Sequence, residues 1–345
     1  MRRVRPQPEW PAGQVKRFRH TSRALEGNPW DDPVTRDVCV YLPPGYEESG
    51  DPFVALWDFA AFTNSGPGHL NWRNHGENLV QRVDRLIHEG QLPPVVVVMP
   101  DAYTSLGGNQ YVDSAAVGLY ETHIVDELVP FVGEHLNVVD GPEGRGVFGK
   151  SSGGYGALVH AMRHPDTWGG AAAHAGDCGF DRVFLPEFPA AALALSEFDG
   201  NARALVERFW RKRQPGGRDF TALMVVAMAA SYDPDPGNPE RIRMPFDPVT
   251  CELIPERWTA WLRHDPVNMV EQHVDALKSL RCLYIDVGCR DQYNIQFGSR
   301  QLSAALEKHG VRHHFEEFDG THSQIDWRLD TSLPMLAGAL EGRRD

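Results

Sequence analysis

The sequence predicts an α/β fold: a mostly parallel central sheet flanked by helices. Three observations carry this. Short apolar runs recur along the chain, amphipathic helical patterns separate them, and one run, "PPVVVVMPDAY" (Pro93 to Tyr103), is apolar at consecutive positions. Strands buried on both faces read that way, whereas a half-solvated antiparallel sheet alternates.

The elements follow in order. "DVCVYLPPGY" (Asp37 to Tyr46) is a strand closed by Pro-Pro-Gly, and "PFVALWDF" (Pro52 to Phe59) is a second. In "NLVQRVDRLIHEG", Leu79, Val80, Val83, Leu86 and Ile87 fall at helical spacing, and Gly90 is a C-terminal stop. "ETHIVDELVPFVGEHL" reads as a helix, "GVFG" as a short strand and "LYIDVG" (Leu283 to Gly288) as a late core strand. Residues 178–265 break the rhythm with helical pieces such as "ALVERFWRKR" and the proline-dense "YDPDPGNPERIRMPFDP". The expectation is a single domain spanning 1–345, with residues 178–265 as a helical and irregular cap inserted within it.

Composition narrows the function. With 34 basic and 47 acidic residues the formal charge is -13, which argues against a nucleic-acid or anionic-membrane surface. The clustered basic residues at the N-terminus (Arg2, Arg3, Arg5, then Lys16, Arg17, Arg19) are followed by Trp10 and prolines rather than by an apolar run, so no secretory signal is expected. The longest apolar stretch, Phe220 to Ser231, is well short of the ~20 residues that span a bilayer. Five cysteines are scattered without C-x-x-C spacing, which signals neither a disulfide framework nor a metal site. A cytoplasmic protein is expected, with a homo-oligomer left open.

The segment "GRGVFGKSSGGYG" (144–156) matches two motifs at once. From Gly144 it spells G-x-x-x-x-G-K-S, a phosphate-binding loop; from Gly149 it spells G-x-S-x-G, a turn that presents a nucleophilic serine. The phosphate reading requires a strand before Gly144 and an uninterrupted helix after Ser151. "DGPE" precedes Gly144 and Gly153, Gly154 and Gly156 follow Ser151, so both requirements fail. A nucleophile elbow requires residues without bulk two before and two after the serine, and Gly149 and Gly153 occupy those places around Ser151. Ser152 fails the same test because Lys150 would stand where glycine is needed.

A serine hydroxyl needs a histidine to remove its proton and a carboxylate to orient that histidine. Downstream, "LYIDVGCRDQYN" offers Asp286 within a strand and Asp291 in the loop beyond it; Asp291 is preferred, with Asp286 as the alternative. "HHFEEFDGTHSQIDWR" places His322 in a loop, where catalysis requires it, and His313 and His314 in the preceding strand. His174 follows another strand and is a candidate for the pocket.

Taken with "VVVVMPDAYTSLGGNQYVDS" and "DVCVYLPPGY", these stretches resemble the esterase D branch of the α/β-hydrolases, over about Val15 to Leu340. That branch includes enterochelin-esterase-like proteins, feruloyl and acetylxylan esterases, S-formylglutathione hydrolases and mycolyl transferases. The resemblance implies an α/β-hydrolase fold with Ser151 as nucleophile, His322 as general base and Asp291 as the orienting acid. It also implies an oxyanion hole of two backbone N–H groups, from Ser152 and from Ala60, where Asp58, Phe59 and Ala60 stand in place of the family's Asp-Gly-Leu. The sequence ahead of Thr35 is too short for the β-sandwich of enterochelin esterases, which disfavours siderophore hydrolysis. Lys150 replaces the usual apolar or amide residue of the elbow; a solvated lysine is expected, or one that favours an anionic substrate group.

The function expected is a serine-dependent ester hydrolase of the carboxylesterase or feruloyl-esterase type, acting on a small-molecule ester with an aromatic or bulky apolar group. Phe59, Tyr111, Tyr155, His174 and Trp210 are the candidate pocket residues. No cofactor and no metal are expected. The rival readings are an acyltransferase using the same triad, a non-catalytic binding protein on the hydrolase fold, and a nucleotide-binding enzyme using the Gly144 to Ser151 match.

Overall fold

The computed structural model describes residues 10–235, 237 and 242–342. Arg2, Arg3 and Arg5, part of the proline-dense stretch and the last three residues lie outside the described residues.

Strand β1 (Gln14–Thr21) pairs antiparallel with β2 (Thr35–Leu42). The latter stops at Leu42, where Pro43 and Pro44 remove two ladder donors. Strand β3 (Ala55–Phe59) is shorter than its apolar run, because Phe53 makes only an isolated bridge to Val138. Helix α1 (Leu79–His88) begins with a reciprocal capping box between Asn78 and Gln81, and Gly90 takes the left-handed conformation just past its end, with φ 71°.

Strand β4 (Val96–Pro100) is buried throughout. Val96 and Val98 pack with Trp57 and Val147 on one face of the sheet, while Val97 and Met99 pack with Leu56 and Phe148 on the other. Each fully buried side chain of this kind stabilises the fold by roughly 1.5–3 kcal/mol, which is why the apolar run is continuous.

A two-stranded ribbon follows, β5 (Asp113–Ser114) with β6 (Gly118–Leu119). Next come α2 (Tyr120–Thr122), a wide π-helical turn over His123–Leu128, and α3 (Val129–His135). These fill the single helix expected here. Pro130 cannot donate to residue 126 and would crowd its carbonyl in a regular α-helix, so the turn before it widens.

Strand β7 (Arg145–Lys150) leads into α4 (Ser152–Arg163) and then β8 (Gly170–His174). Between β8 and the next strand lie α5 (Phe180–Val183), α6 (Phe188–Ser196), α7 (Ala202–Arg211), α8 (Gly217–Tyr232), α9 (Pro255–Leu262), α10 (Pro266–Met269) and α11 (Val274–Ser279). Strand β9 (Cys282–Gly288), α12 (Ile295–Lys308), β10 (His314–Phe318) and α13 (Leu329–Leu340) complete the chain. The long apolar run lies in α8, and among the described residues no helix is long and apolar enough to cross a membrane.

The eight-stranded sheet has the order β1-β2-β4-β3-β7-β8-β9-β10. Only the pairings of β1 with β2 and of β2 with β4 are antiparallel; the other five are parallel. From β3 the chain steps to β4 on one side and later returns to β7 on the other. The carboxyl ends of strands at such a switch point frame a crevice, the usual place for ligands in open α/β sheets.

Candidate active site

Ser151 stands at that switch point, between the last residue of β7 and the first of α4. Its backbone has φ 56° and ψ -124°, a conformation that costs a non-glycine residue of order 1–3 kcal/mol. The surroundings hold it there. Ser151 N–H donates to the His174 carbonyl at 2.9 Å, and the Ser151 carbonyl accepts from Tyr155 N–H at 2.8 Å.

The two flanking glycines have no room for a side chain. A Cβ on Gly149 would stand 2.5 Å from both the Phe59 oxygen and the Gly153 carbonyl carbon, and a Cβ on Gly153 would stand 1.8 Å from the Phe59 oxygen. The sharp turn therefore depends on direct backbone contact between the end of β3 and the start of α4.

The phosphate-loop reading fails in the structure as well. Residues 145–149 pair with β3 and residues 146–150 with β8, so this segment is a central strand whose N–H groups belong to the sheet. They cannot converge on a phosphate.

Past the end of β9, Asp291 lies in a tight turn in which its N–H donates to the Gly288 carbonyl at 3.0 Å. Its Oδ1 accepts the Tyr293 N–H at 2.8 Å and its Oδ2 meets His322 Nδ1 at 2.8 Å. His322 is held in its own loop by its N–H, which donates to Gln292 Oε1 at 3.0 Å, and by the Tyr293 ring, edge-on at 4.9 Å between centroids. Asp291 and His322 are 3% and 7% exposed, so the pair interacts in a medium of reduced dielectric. With the carboxylate accepting at Nδ1, the imidazole keeps its proton there and Nε2 carries the free lone pair.

Asp286, the alternative acid, is fully buried and bonded to His174 Nδ1 at 2.7 Å, Arg328 Nε at 2.7 Å and the Tyr284 hydroxyl at 2.9 Å. It joins β8, β9 and the turn before α13. Burial alone would raise its pKa, but the His174 and Arg328 partners outweigh that and hold it below the usual carboxylate range.

Ser152 opens α4, where a helix has no internal acceptor for its first N–H groups, and Ala60 directly follows β3. The Ala60 carbonyl accepts from the Tyr111 hydroxyl at 2.8 Å, which fixes the peptide just after the Ala60 N–H.

Three of the expected pocket residues are corrected to core residues. Phe59 is fully buried, stacked on Tyr111 at 4.2 Å and flanked edge-on by His160 and Trp168. Tyr155 is fully buried against Phe180 and Tyr232, and His174 has both ring nitrogens engaged, by Asp286 and by Ser332 Oγ at 2.9 Å. Tyr111 is 4% exposed and stands behind Ala60, while Trp210 lies half-exposed with its Nε1 donating to the Ser105 carbonyl at 2.8 Å. Lys150 is half-buried rather than solvated; burial lowers its pKa, with Asp326 and Asp291 opposing.

The structure adds a residue that sequence reasoning passed over. Asp177, just beyond β8 and 5% exposed, accepts from Gln110 Nε2 at 3.2 Å and faces Ser152 Oγ at 3.4 Å. Burial pushes its carboxyl up to about 6, partly offset by His322 and the Gln110 hydrogen bond. Gln110 also bonds to the Tyr232 hydroxyl at 2.9 Å, so the last residue of α8 reaches Ser152, the neighbour of Ser151, through the Gln110 amide and the Asp177 carboxylate. The stretch "HAGDCGFD" held the signal, since Asp177 follows a strand that ends beside the elbow.

A family model described as "putative esterase" matches residues 34–333. An esterase of Mycobacterium tuberculosis is 28% identical over 168 residues, 48% of this chain and 33% of that protein, so the chain spans about a third of the length of that curated relative. Among solved structures, a ferulic acid esterase superposes with a TM-score of 0.60 at 18% identity, covering 95% of this chain and 99% of the other. An S-formylglutathione hydrolase from Agrobacterium tumefaciens superposes with a TM-score of 0.57 at 18% identity, covering 95% and 96%. At such identities the likeness to the solved structures establishes the fold, which is that of the α/β-hydrolases.

Proposed function

The chain belongs to this esterase family, and from that premise we propose that it hydrolyses carboxylic esters through an acyl-enzyme on Ser151. The observation that carries the reading is the elbow itself: a serine at φ 56° between a strand and a helix, wedged by two glycines against the Phe59 carbonyl. Strain at one serine in a crevice is what a nucleophile requires and what a structural serine avoids.

In this mechanism Ser151 Oγ attacks the ester carbonyl carbon while His322 Nε2 takes the hydroxyl proton. Asp291 holds the imidazole through Nδ1 and stabilises the charge that forms on it. The oxyanion rests on the N–H groups of Ser152 and Ala60, each contributing on the order of 100- to 1000-fold in rate. As the carbonyl reforms, the alcohol leaves with the proton from His322, and water repeats the sequence to release the acid.

Residues 178–265 serve as the cap in this reading, and α8 is its link to the site through Tyr232 and Gln110. An ester with an aromatic or bulky apolar acyl group is the favoured substrate, because Tyr293 presents a ring 36% exposed directly beside His322. Burial of such a group against the ring excludes water from the forming oxyanion.

The test is a comparison of kcat/KM for p-nitrophenyl acetate and p-nitrophenyl cinnamate in wild type and Ser151→Ala. The expected result is preference for the cinnamate and loss of both activities in the variant. Activity retained by Ser151→Ala overturns the mechanism, and preference for the acetate overturns the substrate class alone.

A further inference from the structure

At the β1 edge of the sheet, four places along from β7, the fold brings two imidazoles and a carboxylate together that the ester chemistry does not use. His20 comes from β1; His123 and Glu127 come from the π-helical turn, four residues apart. One ligand atom from each of the three lies within 4.8 Å of the others.

The hydrogen bonding around them is incomplete in a telling way. His123 Nδ1 meets Glu127 Oε2 at 2.8 Å, and His20 Nε2 lies 3.5 Å from the same oxygen without making a hydrogen bond to it. His123 Nε2 is likewise buried without a partner, on a residue 1% exposed. Leaving such a group unsatisfied costs about 1–3 kcal/mol; a cation held by His20 Nε2, His123 Nδ1 and Glu127 would give the His20 nitrogen its partner.

The carboxylate, in contrast, is fixed from behind. Glu127 Oε1 accepts the N–H groups of Arg23 and Ala24 at 2.8 and 3.0 Å, and Oε2 accepts the Ser22 hydroxyl at 2.5 Å. Outer partners of this kind aim a carboxylate at a cation.

We propose that His20, His123 and Glu127 bind a divalent ion of the zinc class, with water completing a tetrahedron. Ligand atoms at ~2.0–2.1 Å from a tetrahedral ion lie about 3.3 Å from one another. The observed separations from Glu127 Oε2, 2.8 and 3.5 Å, fall on either side of that spacing. Two imidazole nitrogens with one carboxylate suit zinc and its neighbours; calcium and magnesium demand oxygen ligands. Partial exposure of the His20 and Glu127 side chains, 19% and 16%, leaves the ion a route in from solvent. Arg36, whose charge reaches His123, is turned to the Tyr103 carbonyl and the Tyr120 hydroxyl. The ion ties the edge strand and the turn at Ser22 to the helical segment, and its role is structural.

The experiment uses tag-free full-length protein stripped with a chelator and titrated with ZnCl2. Bound zinc is counted after gel filtration, and the thermal midpoint is followed in parallel. One zinc retained per chain and a raised midpoint are expected, because a ligand that binds only the folded state stabilises it. His20→Gln, on an edge strand, is expected to fold normally and to weaken zinc binding by more than about tenfold, since outer-shell changes alone cost that much. Glu127→Gln is expected to do the same, and His20→Gln decides alone if Glu127→Gln does not fold. No zinc retained by the wild type, or equal retention by wild type and folded His20→Gln, overturns the proposal.

Discussion

His174 Nδ1 meets Asp286 Oδ1 at 2.7 Å, a contact almost identical in length to the 2.8 Å between His322 Nδ1 and Asp291 Oδ2. The two pairs differ in what surrounds them. The other nitrogen of His174 is engaged by Ser332, and Asp286 is further held by Arg328 and Tyr284, so every polar atom of that pair serves as a clamp. His322 lies in a loop at the carboxyl end of the sheet with Tyr293 beside it.

Exchange of the two acids separates these roles. Asp291→Asn is expected to lower kcat by ~1000- to 10,000-fold, because the amide favours the wrong imidazole tautomer, while the melting temperature changes little. Asp286→Asn is expected to destabilise the fold, up to ~3 kcal/mol, by removing the buried carboxylate from Arg328 and His174 and leaving Arg328 with Glu316 as its charged partner. Its folded fraction should hydrolyse esters near the wild-type rate. Steady-state kinetics with thermal melts on both variants check this, and the reverse pattern would identify Asp286 as the orienting acid.

The elbow allows a sharper test of packing. Gly153→Ala places a Cβ 1.8 Å from the Phe59 carbonyl oxygen, and neither backbone segment can retreat without breaking the pairing of β3 with β7. A destabilisation above ~4 kcal/mol is expected, read as loss of soluble folded protein or a collapsed denaturation midpoint. A variant that melts like the wild type would show that the turn tolerates bulk.

Asp177 governs stability in mildly acidic solution. Its carboxyl is raised to about 6 from an ordinary value of 3.8, so between those values the folded chain binds more protons than the unfolded chain. Stability contributed by this group therefore rises as pH falls from about 6 toward 4 and is absent at neutral pH. Asp177→Asn keeps an acceptor for Gln110 and Ser152 but cannot ionise. It is expected to flatten this part of the stability profile and to melt higher than the wild type at pH 8. Melts at half-unit pH steps measure it.

Glu121 acts in the opposite direction. Burial alone would raise its pKa, but His164 and Arg163 bonded at 2.7 Å each hold it at about 2, below the ordinary 4.5. The stability it supplies is complete above pH 4.5 and is lost as pH falls toward 2. Glu121→Gln should remove that acid-side loss and lower stability at pH 7. An unchanged acid limb in the variant would show that the charge cluster contributes nothing.

The sequence pointed to Ser151, Asp291 and His322 because each stands in a short loop after a strand, where spacing and residue type are informative. It also identified the strands that deliver them, since apolar runs bounded by glycine and proline keep their meaning locally. Phe59, Tyr155 and His174 were misread for one shared reason. Adjacency in sequence to a site residue does not say which face of a strand or helix a side chain takes, and these three turn into the core. Asp177 was missed because its significance comes from contacts with residues 25 and 67 positions away, Ser152 and Gln110. The His20, His123 and Glu127 cluster shares that property, being assembled across more than a hundred residues by the pairing of β1 with the sheet edge.

Labelling with a fluorophosphonate followed by peptide mass mapping tests the central claim most directly, because the probe requires an activated serine and no knowledge of the substrate. Modification confined to Ser151, abolished in Ser151→Ala and strongly reduced in His322→Ala, is the predicted result. Folded protein that remains unlabelled, or that carries the label on another serine, would contradict the assignment of Ser151 as the nucleophile.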